Sequence, residues 1–293
     1  MNEPLILNGK EVAEKLYSQL PNMNGKKLVI ITIGDDDASK VYVRNKILAC
    51  NKVGLDGINY KFYPSDYKDI KQLAEFIIKT INELNESENV VGIMVQQPYL
   101  KELKKYHIEE WIDPNKDVDG LCVNNLGLTC MGEKPYHYPA TPKGIITLLD
   151  HYNIPLEGTN VVIIGRSDIV GKPLAAMMIA RNATVTVCHS KTPIDDLKNA
   201  AMHADIIISA VGKAKYFDHT YICELADTND YFMIPSHLIT IIDVGINRDE
   251  NGKLCGDVDF DDVLPYVSAI TPVPKGVGPM TIYSLIENCC KNG

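Results

Sequence analysis

The chain has 293 residues, 45% hydrophobic and 23% charged, with a formal net charge of −9 at pH 7, a length that accommodates two domains with cores of their own. The acidic balance excludes a broad nucleic-acid surface, and no apolar run approaches the roughly 18 residues that cross a bilayer. The opening MNEPLILNGK has neither the basic start nor the long apolar run of a signal peptide, so the expectation is a cytoplasmic protein with no membrane and no nucleic-acid partner.

Residues 28–33 (LVIITI) are a short apolar run ending at Gly34, and three aspartates at 35–37 precede a helical pattern over 38–53. A helix start stabilises negative charge, so the acidic triplet reads as a cap. Tyr42 and Lys46 are four apart and share one helix face. Such a pair is ordinarily a solvated one; the chemical alternative is a desolvated lysine beside a phenol, able to move protons once its pKa falls. Strands are predicted near 58–63 and at 90–95, with a helix over 66–84 between them, and the repeated β-α-β passages argue for a parallel sheet. Gln96 and Gln97 stand at the C-terminal end of the last strand, the edge where open α/β sheets place ligands. After a short amphipathic helix comes 113–120 (DPNKDVDG), where Asp117 and Asp119 also read as plain turn residues.

The composition changes at 138, where YPATPKG and a helix over 144–153 lead into a strand at 160; the domain boundary is drawn there. Residues 161–173 (VVIIGRSDIVGKP) read as a buried strand, a tight turn and a helix that continues to about 182. Unpaired N–H groups and the dipole at such a helix start favour a phosphate, and Gly165 and Gly171 let the chain turn sharply. The spacing is G-x5-G, not G-x-G-x-x-G. The next strand, 184–188, ends in His189-Ser190-Lys191 with no carboxylate for a ribose diol, and Arg166 follows the first glycine. These groups suit a phosphate-bearing ribose, hence NADP over NAD. Strands at 205–211 and 238–244 close on Gly212 and Gly245, with a helix near 194–201 before the first of them. Residues 217–236 show no clear periodicity. Finally 270–281 is a Pro/Gly loop entering a last helix to about 290. The eight cysteines show no metal-ligand spacing, so buried thiols and no metal are expected.

The order of these stretches is specific: YVRNK (42–46), VQQP (95–98), KDVDG (116–120), TPKG (141–144), GRSDIVGKP (165–173), CHSKT (188–192), DVGIN (243–247), GDVDF (256–260) and TPVPKGVGPMT (271–281). Over nearly its whole length the chain resembles the bifunctional methylenetetrahydrofolate dehydrogenase/methenyltetrahydrofolate cyclohydrolase family. The resemblance implies a two-domain α/β protein. An N-terminal α/β folate/catalytic domain covers 1–139, with a C-terminal helix at 275–293 packing back onto it, and a Rossmann-like dinucleotide-binding domain covers 140–274. It implies NADP-linked oxidation of 5,10-methylenetetrahydrofolate to the methenyl form, then hydrolysis to 10-formyltetrahydrofolate. By the same resemblance Lys46 is the central catalytic group, Tyr42 packs against the folate rings, Gln96 hydrogen-bonds near the lysine, and Asp119 holds the pterin. Pro274 and Gly276 fall on substrate positions. Gly165, Arg166, Ser167, Ile169, Gly171, His189, Ser190, Ala210, Val211, Gly212, Asp243, Gly245 and Ile246 fall on cofactor positions. The family usually forms homodimers through its nucleotide domain.

The chemistry fits those roles. A carboxylate accepting two pterin N–H bonds fixes the ring's angle, and hydride loss creates a cation that a protonated lysine would oppose. A rival oxidoreductase of other substrate would explain GRSDIVGKP but not the joint presence of Lys46, Gln96 and Asp119, and a non-enzymatic dinucleotide-binding regulator would suit an apolar residue at 46 or 119. The chain departs from the family in three places. V-Q-L-P-L-P becomes Val95-Gln96-Gln97-Pro98-Tyr99-Leu100, Pro-Cys-Thr-Pro becomes Pro139-Ala140-Thr141-Pro142, and Lys275 replaces the first glycine of P-G-G-V-G-P. If that backbone needs a positive φ, the lysine is expected to shift the loop. The 217–236 connection also looks longer than usual.

Overall fold

The computed structural model describes residues 3–225, 232–233 and 239–292. The chain folds as two compact units, one of residues 14–140 with 282–293 and one of residues 1–13 with 141–281. In chain order β1 (Leu5–Ile6) and α1 (Gly9–Tyr17) precede β2 (Lys27–Ile33), α2 (Asp37–Cys50), β3 (Asp56–Phe62), α3 (Ile70–Asn85) and β4 (Val90–Val95). Then come α4 (Val123–Cys130), α5 (Ala140–His151), β5 (Asn160–Ile164), α6 (Gly171–Ile179), β6 (Thr184–Cys188), α7 (Ile194–Met202), β7 (Ile206–Ser209), β8 (Thr240–Asp243), β9 (Ala269–Ile270) and α8 (Val277–Cys290).

In the first unit the strands pair in parallel in the order β3-β2-β4. All of β4 is buried, as is β2 beyond Lys27, which is why both read as unbroken apolar runs rather than alternating ones. Helix α3 buries Leu73, Ala74, Ile77, Ile81 and Leu84, spaced to form one stripe that packs in a cluster with Ile31 and Ile93. Asp36 caps α2, its carboxylate accepting the Ser39 N–H at 2.7 Å, as the acidic triplet implies. The short helix expected after β4 is instead a pair of 3-10 turns, Lys101–Tyr106 and Ile108–Trp111, because His107 between them is left-handed at φ 45°. Asn288, near the end of the chain, donates to the carbonyls of Val118 and Tyr138 at 2.9 and 3.2 Å, anchoring the KDVDG turn.

The second unit holds a six-stranded sheet in the order β1-β9-β8-β7-β5-β6, with every pairing parallel. Four strands were expected. The other two, β1 and β9, are two residues long, too short to carry the period of two that marks a strand. Helix α5 begins at Ala140, ahead of the expected start at 144, since Pro142 sits in the first turn where its missing N–H costs nothing. Val162, Ile164, Ile207, Ile241 and Ile270 of the sheet pack with Phe217 and Leu197 in one core. Residues 226–231 and 234–238, where the long connection was expected, lie outside the described residues. No described helix is long and apolar enough to cross a membrane.

Candidate active site and nucleotide cradle

Lys46 projects from α2 into the first unit with only 8% of its surface exposed. Its Nζ donates to Gln96 Oε1 at 2.9 Å and lies 3.5 Å from Met94 Sδ. Gln96 is fixed from both sides: its main-chain N–H donates to Ile31 O at 2.8 Å, and its Nε2 to Gln97 O at 2.6 Å. Burial pushes the Lys46 pKa down, against the pull of the Asp119 carboxylate. Burial pushes Asp119 up, against the Lys46 charge, with Asp117 and Glu109 adding to the rise. An amine pushed down and an acid pushed up approach each other in proton affinity, the condition for moving a proton near neutrality.

The two aspartates of KDVDG have different work. Asp117, 2% exposed, accepts from Gly120 N at 3.1 Å, Cys122 N at 2.8 Å and Asn125 Nδ2 at 3.0 Å, so it builds the turn. Gly120 holds φ 71°, and a Cβ there would lie 2.7 Å from Pro139 N, so only glycine lets the turn close. Asp119, next to it, is half-buried and within the electrostatic reach of Lys46. Tyr42 is half-buried one turn before Lys46 on the same helix. A hollow open to solvent is lined by Thr32, Asp36, Ser39, Asn59 and Gln96 among others. Ser39 escaped the sequence reading, although it stands one helical turn before Tyr42; its buried Oγ has no partner among the described residues.

In the second unit Gly165 holds φ 137°, and a Cβ there would meet Ala210 O at 2.3 Å; one on Gly171 would meet Gly165 O at 2.2 Å. Both glycines are therefore required by packing between the ends of β5 and β7 and the start of α6. Ser167 Oγ accepts from the N–H groups of Val170 and Gly171 at 3.2 and 3.4 Å, while Arg166 and Ile169 are exposed beside it. After β6, His189 Nδ1 accepts from Lys191 N at 3.1 Å, and Ser190 and Lys191 are exposed. Exposed cationic and hydroxyl donors around a helix start are a donor set that fits the phosphates of a dinucleotide.

Two buried carboxylates set the loops beyond β7 and β8. Asp257, which the sequence reading did not single out, accepts from Val211, Gly212 and Lys213 N–H at 2.5–3.0 Å and from Asn247 Nδ2 at 2.8 Å. Asp243 accepts from the N–H groups of Gly245, Asp257 and Val258 at 2.9–3.0 Å. Its carboxylate thus faces the protein's own backbone and shapes the loop that carries Gly245 and the exposed Ile246. Burial pushes its pKa up to about 7, against those three bonds. The only sequence signal for Asp257 is its place in GDVDF.

The loop at 271–281 corrects one expectation. Lys275 itself holds φ 91°, so the loop keeps a left-handed residue without a glycine. Its carbonyl accepts from Lys10 N at 3.0 Å, and a Cβ on Gly9 would lie 2.1 Å from Gly276 O. The start of α1 packs tightly on this loop and bonds the Lys275 carbonyl, which favours the left-handed backbone the lysine adopts. Pro274 is exposed there and Gly276 buried. Elsewhere Asp218, His219 and Asp262 come close enough to reach one ion, but the Asp262 carboxylate already binds the His219 N–H and Nδ1 at 2.8 Å, a lock on the 219–221 turn.

Residues 7–119 match the tetrahydrofolate dehydrogenase/cyclohydrolase catalytic domain, and residues 139–293 match the NAD(P)-binding domain of the same family. The chain is 45% identical to a bifunctional protein FolD of Agathobacter rectalis, over 97% of both chains. Among solved structures it resembles the bifunctional FolD methylenetetrahydrofolate dehydrogenase/cyclohydrolase of Campylobacter jejuni, with TM-score 0.87 and 38% identity, covering 98% of this chain and 97% of that one. It also resembles the Trypanosoma brucei FolD complexed with NADP cofactor and inhibitor, with TM-score 0.87 and 29% identity, covering 100% and 98%.

Proposed function

The chain belongs to the tetrahydrofolate dehydrogenase/cyclohydrolase family, and from that premise we propose that Lys46, Gln96 and Asp119 form its catalytic centre and that NADP is its hydride acceptor. The protein oxidises 5,10-methylenetetrahydrofolate to 5,10-methenyltetrahydrofolate and hydrolyses the product to 10-formyltetrahydrofolate. The observation that carries the site assignment is the buried Lys46 amine held 2.9 Å from Gln96 Oε1, with its pKa lowered by burial against the pull of Asp119.

Bound NADP supplies the acceptor for the hydride leaving the bridge carbon. Asp119 accepts N–H bonds from the pterin and so sets where that carbon lies. Tyr42 covers the ring system from α2. Lys46, its pKa lowered by burial, opposes the cation that forms less than an exposed lysine would, and Gln96 holds its amine in place. In the second step water attacks the bridge carbon. A C–O bond forms as the C=N5 π electrons return to N5, and Lys46 takes one proton of the attacking water. The C–N5 single bond then breaks as that proton passes to N5, and the second water proton leaves to solvent so that the oxygen ends as the formyl C=O.

NADP is preferred over NAD because Arg166, Ser190 and Lys191 are exposed donors and the end of β6 lacks a carboxylate for a ribose diol. A homodimer is supported by β6, an edge strand with Val187 38% exposed between Ile179 at 59% and Ile194 at 48%. Buried thiols at Cys50, Cys122, Cys188 and Cys223 suit a reducing, cytoplasmic setting. The test follows the near-ultraviolet absorbance of the methenyl product with NADP and with NAD, in the parent and in Lys46→Met. The variant loses hydrolysis by about a thousandfold or more and still binds NADP; near-normal hydrolysis rules out the role.

A further inference from the structure

Next to this centre lies a polar cluster where the family pattern is apolar. Gln97 and Tyr99 occupy positions at which V-Q-L-P-L-P carries leucines, and both reach one half-buried carboxylate, Glu109. The Tyr99 hydroxyl donates to Glu109 Oε1 at 2.7 Å and to Oε2 at 2.9 Å, and Gln97 Nε2 donates to Oε1 at 3.2 Å. Burial and the Glu109 charge both push the Tyr99 pKa up, so the phenol keeps its proton and its bond throughout the neutral range.

Glu109 sits on the turn Ile108–Trp111, whose Ile108 is buried in the core beneath α3, so the carboxylate is held from its backbone as well as its tip. The cluster is wired to the lysine: Gln97 O accepts from Gln96 Nε2 at 2.6 Å, and Gln96 Oε1 accepts from Lys46 at 2.9 Å. Lys46, Asp117 and Glu109 are the charged groups that act on Asp119. Asp117 is fixed by donors of its own turn and by Asn125, whereas Glu109 is held by the two residues that replace the leucines of the family pattern. Tyr99 or Gln97 alone could have packed as an apolar wall; two donors converging on one anion retain a charge in a place where desolvation works against it.

We propose that Glu109 is a positioning residue of the folate site: clamped by Tyr99 and Gln97 at the end of the hydrogen-bond chain from Lys46, it supplies a further negative charge that moves the acid limit of activity upward and favours the cationic methenyl substrate. The inference rests on the assignment of Asp119 and Lys46 above. Glu109→Gln keeps the shape and an acceptor for both donors while removing the charge. Its kcat/KM for hydrolysis of methenyltetrahydrofolate, measured against pH, shows the acid limb moved down by about 0.5 pH unit or more, as expected for losing one like charge at partly solvated range. KM for that substrate rises about threefold while kcat at the plateau changes little. Glu109→Asp and Tyr99→Phe retain the charge and leave the limb where it was. An acid limb in Glu109→Gln that superimposes on the parent's, whatever its effect on plateau rate, overturns the proposal and leaves Glu109 as a turn support. If Lys46→Met hydrolyses normally, the catalytic centre itself is misplaced; if Lys46→Met is inactive and the Glu109→Gln limb is unmoved, only the role of Glu109 fails.

Discussion

Asp257 in the nucleotide-binding unit and Asp119 in the folate unit are both carboxylates withdrawn from water, and the protein treats them in opposite ways. Asp257 takes three main-chain N–H groups and an asparagine amide, and Asp243 beside it takes three more N–H groups. Among the described residues no hydrogen-bond donor reaches the Asp119 carboxylate, which meets instead the field of Lys46, Asp117 and Glu109. A carboxylate saturated by backbone donors fixes a loop and has no acceptor left for a ligand. One left unsaturated beside a desolvated amine keeps its acceptors for a substrate, at the expense of stability. Asp257, like Asp117 in the folate unit, is a buried charge that builds a site's shape; Asp119 is a charge that belongs to the site.

The largest expected effects come from breaking each arrangement at its centre. Lys46→Met removes the buried amine without opening a cavity. It lowers hydrolysis by about a thousandfold or more, whereas the free energy of unfolding in urea changes by only about 1 kcal/mol, since one hydrogen bond is traded for relief from burying a polar head. Asp257→Ala should show the reverse pattern. It leaves the N–H groups of Val211, Gly212 and Lys213 and the Asn247 amide without their acceptor, and four hydrogen bonds to a buried carboxylate, each worth about 1–3 kcal/mol less the relief of its desolvation, make the net loss about 3 kcal/mol. Urea unfolding measures that loss directly, and NADP affinity falls with it because Val211 and Gly212 lose their fixed direction. An Asp257→Ala protein within about 1 kcal/mol of the parent would erase the contrast between the two units.

How much of this was legible beforehand depends on whether the signal was local. The strand at 90–95, the cap at Asp36 and the β5–turn–α6 unit are written in contiguous residues: an apolar run, a carboxylate three before a helical N–H, and two glycines whose missing Cβ atoms are needed. The residues alone give Lys46 and Gln96 separate signals fifty positions apart; their pairing comes only through the family resemblance, and the 2.9 Å bond itself only through the fold. The same limit hid Asp257 and Glu109, whose partners are distant in the chain or lie on an irregular turn. His107 broke a helix that composition alone favoured, and the two-residue strands β1 and β9 were below the length at which periodicity exists. Lys275 was misread for a related reason. A positive φ was judged from the residue's own preference, whereas the clamp from Lys10 and Gly9 decides it.

A smaller effect separates the units by pH. Burial raises the Asp243 pKa to about 7 in the folded protein, above the ordinary value near 3.9 in an unfolded chain. Between those two values the native state binds more protons than the unfolded one, so this group's stabilisation is complete below about pH 4 and is lost as pH rises through about 7. Asp243→Asn removes that slope. Comparing urea unfolding at pH 5 and pH 8, the parent should lose on the order of 2 kcal/mol more than the variant over that interval. Equal losses mean that the three N–H bonds hold the carboxylate ionised throughout, which would bring Asp243 closer to Asp257 in behaviour.

The smallest expected effect tests how rigidly the second unit imposes backbone shape. A left-handed lysine costs about 1–2 kcal/mol relative to a glycine at the same φ. Lys275 is exposed, so Lys275→Gly forfeits little packing. Against the relief of strain stands the extra freedom of a glycine in the unfolded chain, about 0.5–1 kcal/mol. The balance is a net stabilisation of about 0.5 kcal/mol, read as a slightly higher urea midpoint at unchanged slope. The clamp itself is untouched, because the carbonyl that accepts from Lys10 N belongs to the backbone. A lower midpoint in Lys275→Gly would show that the strained φ is held by the lysine side chain, not by the clamp, and would move the source of order in this loop from the main chain to an ammonium group.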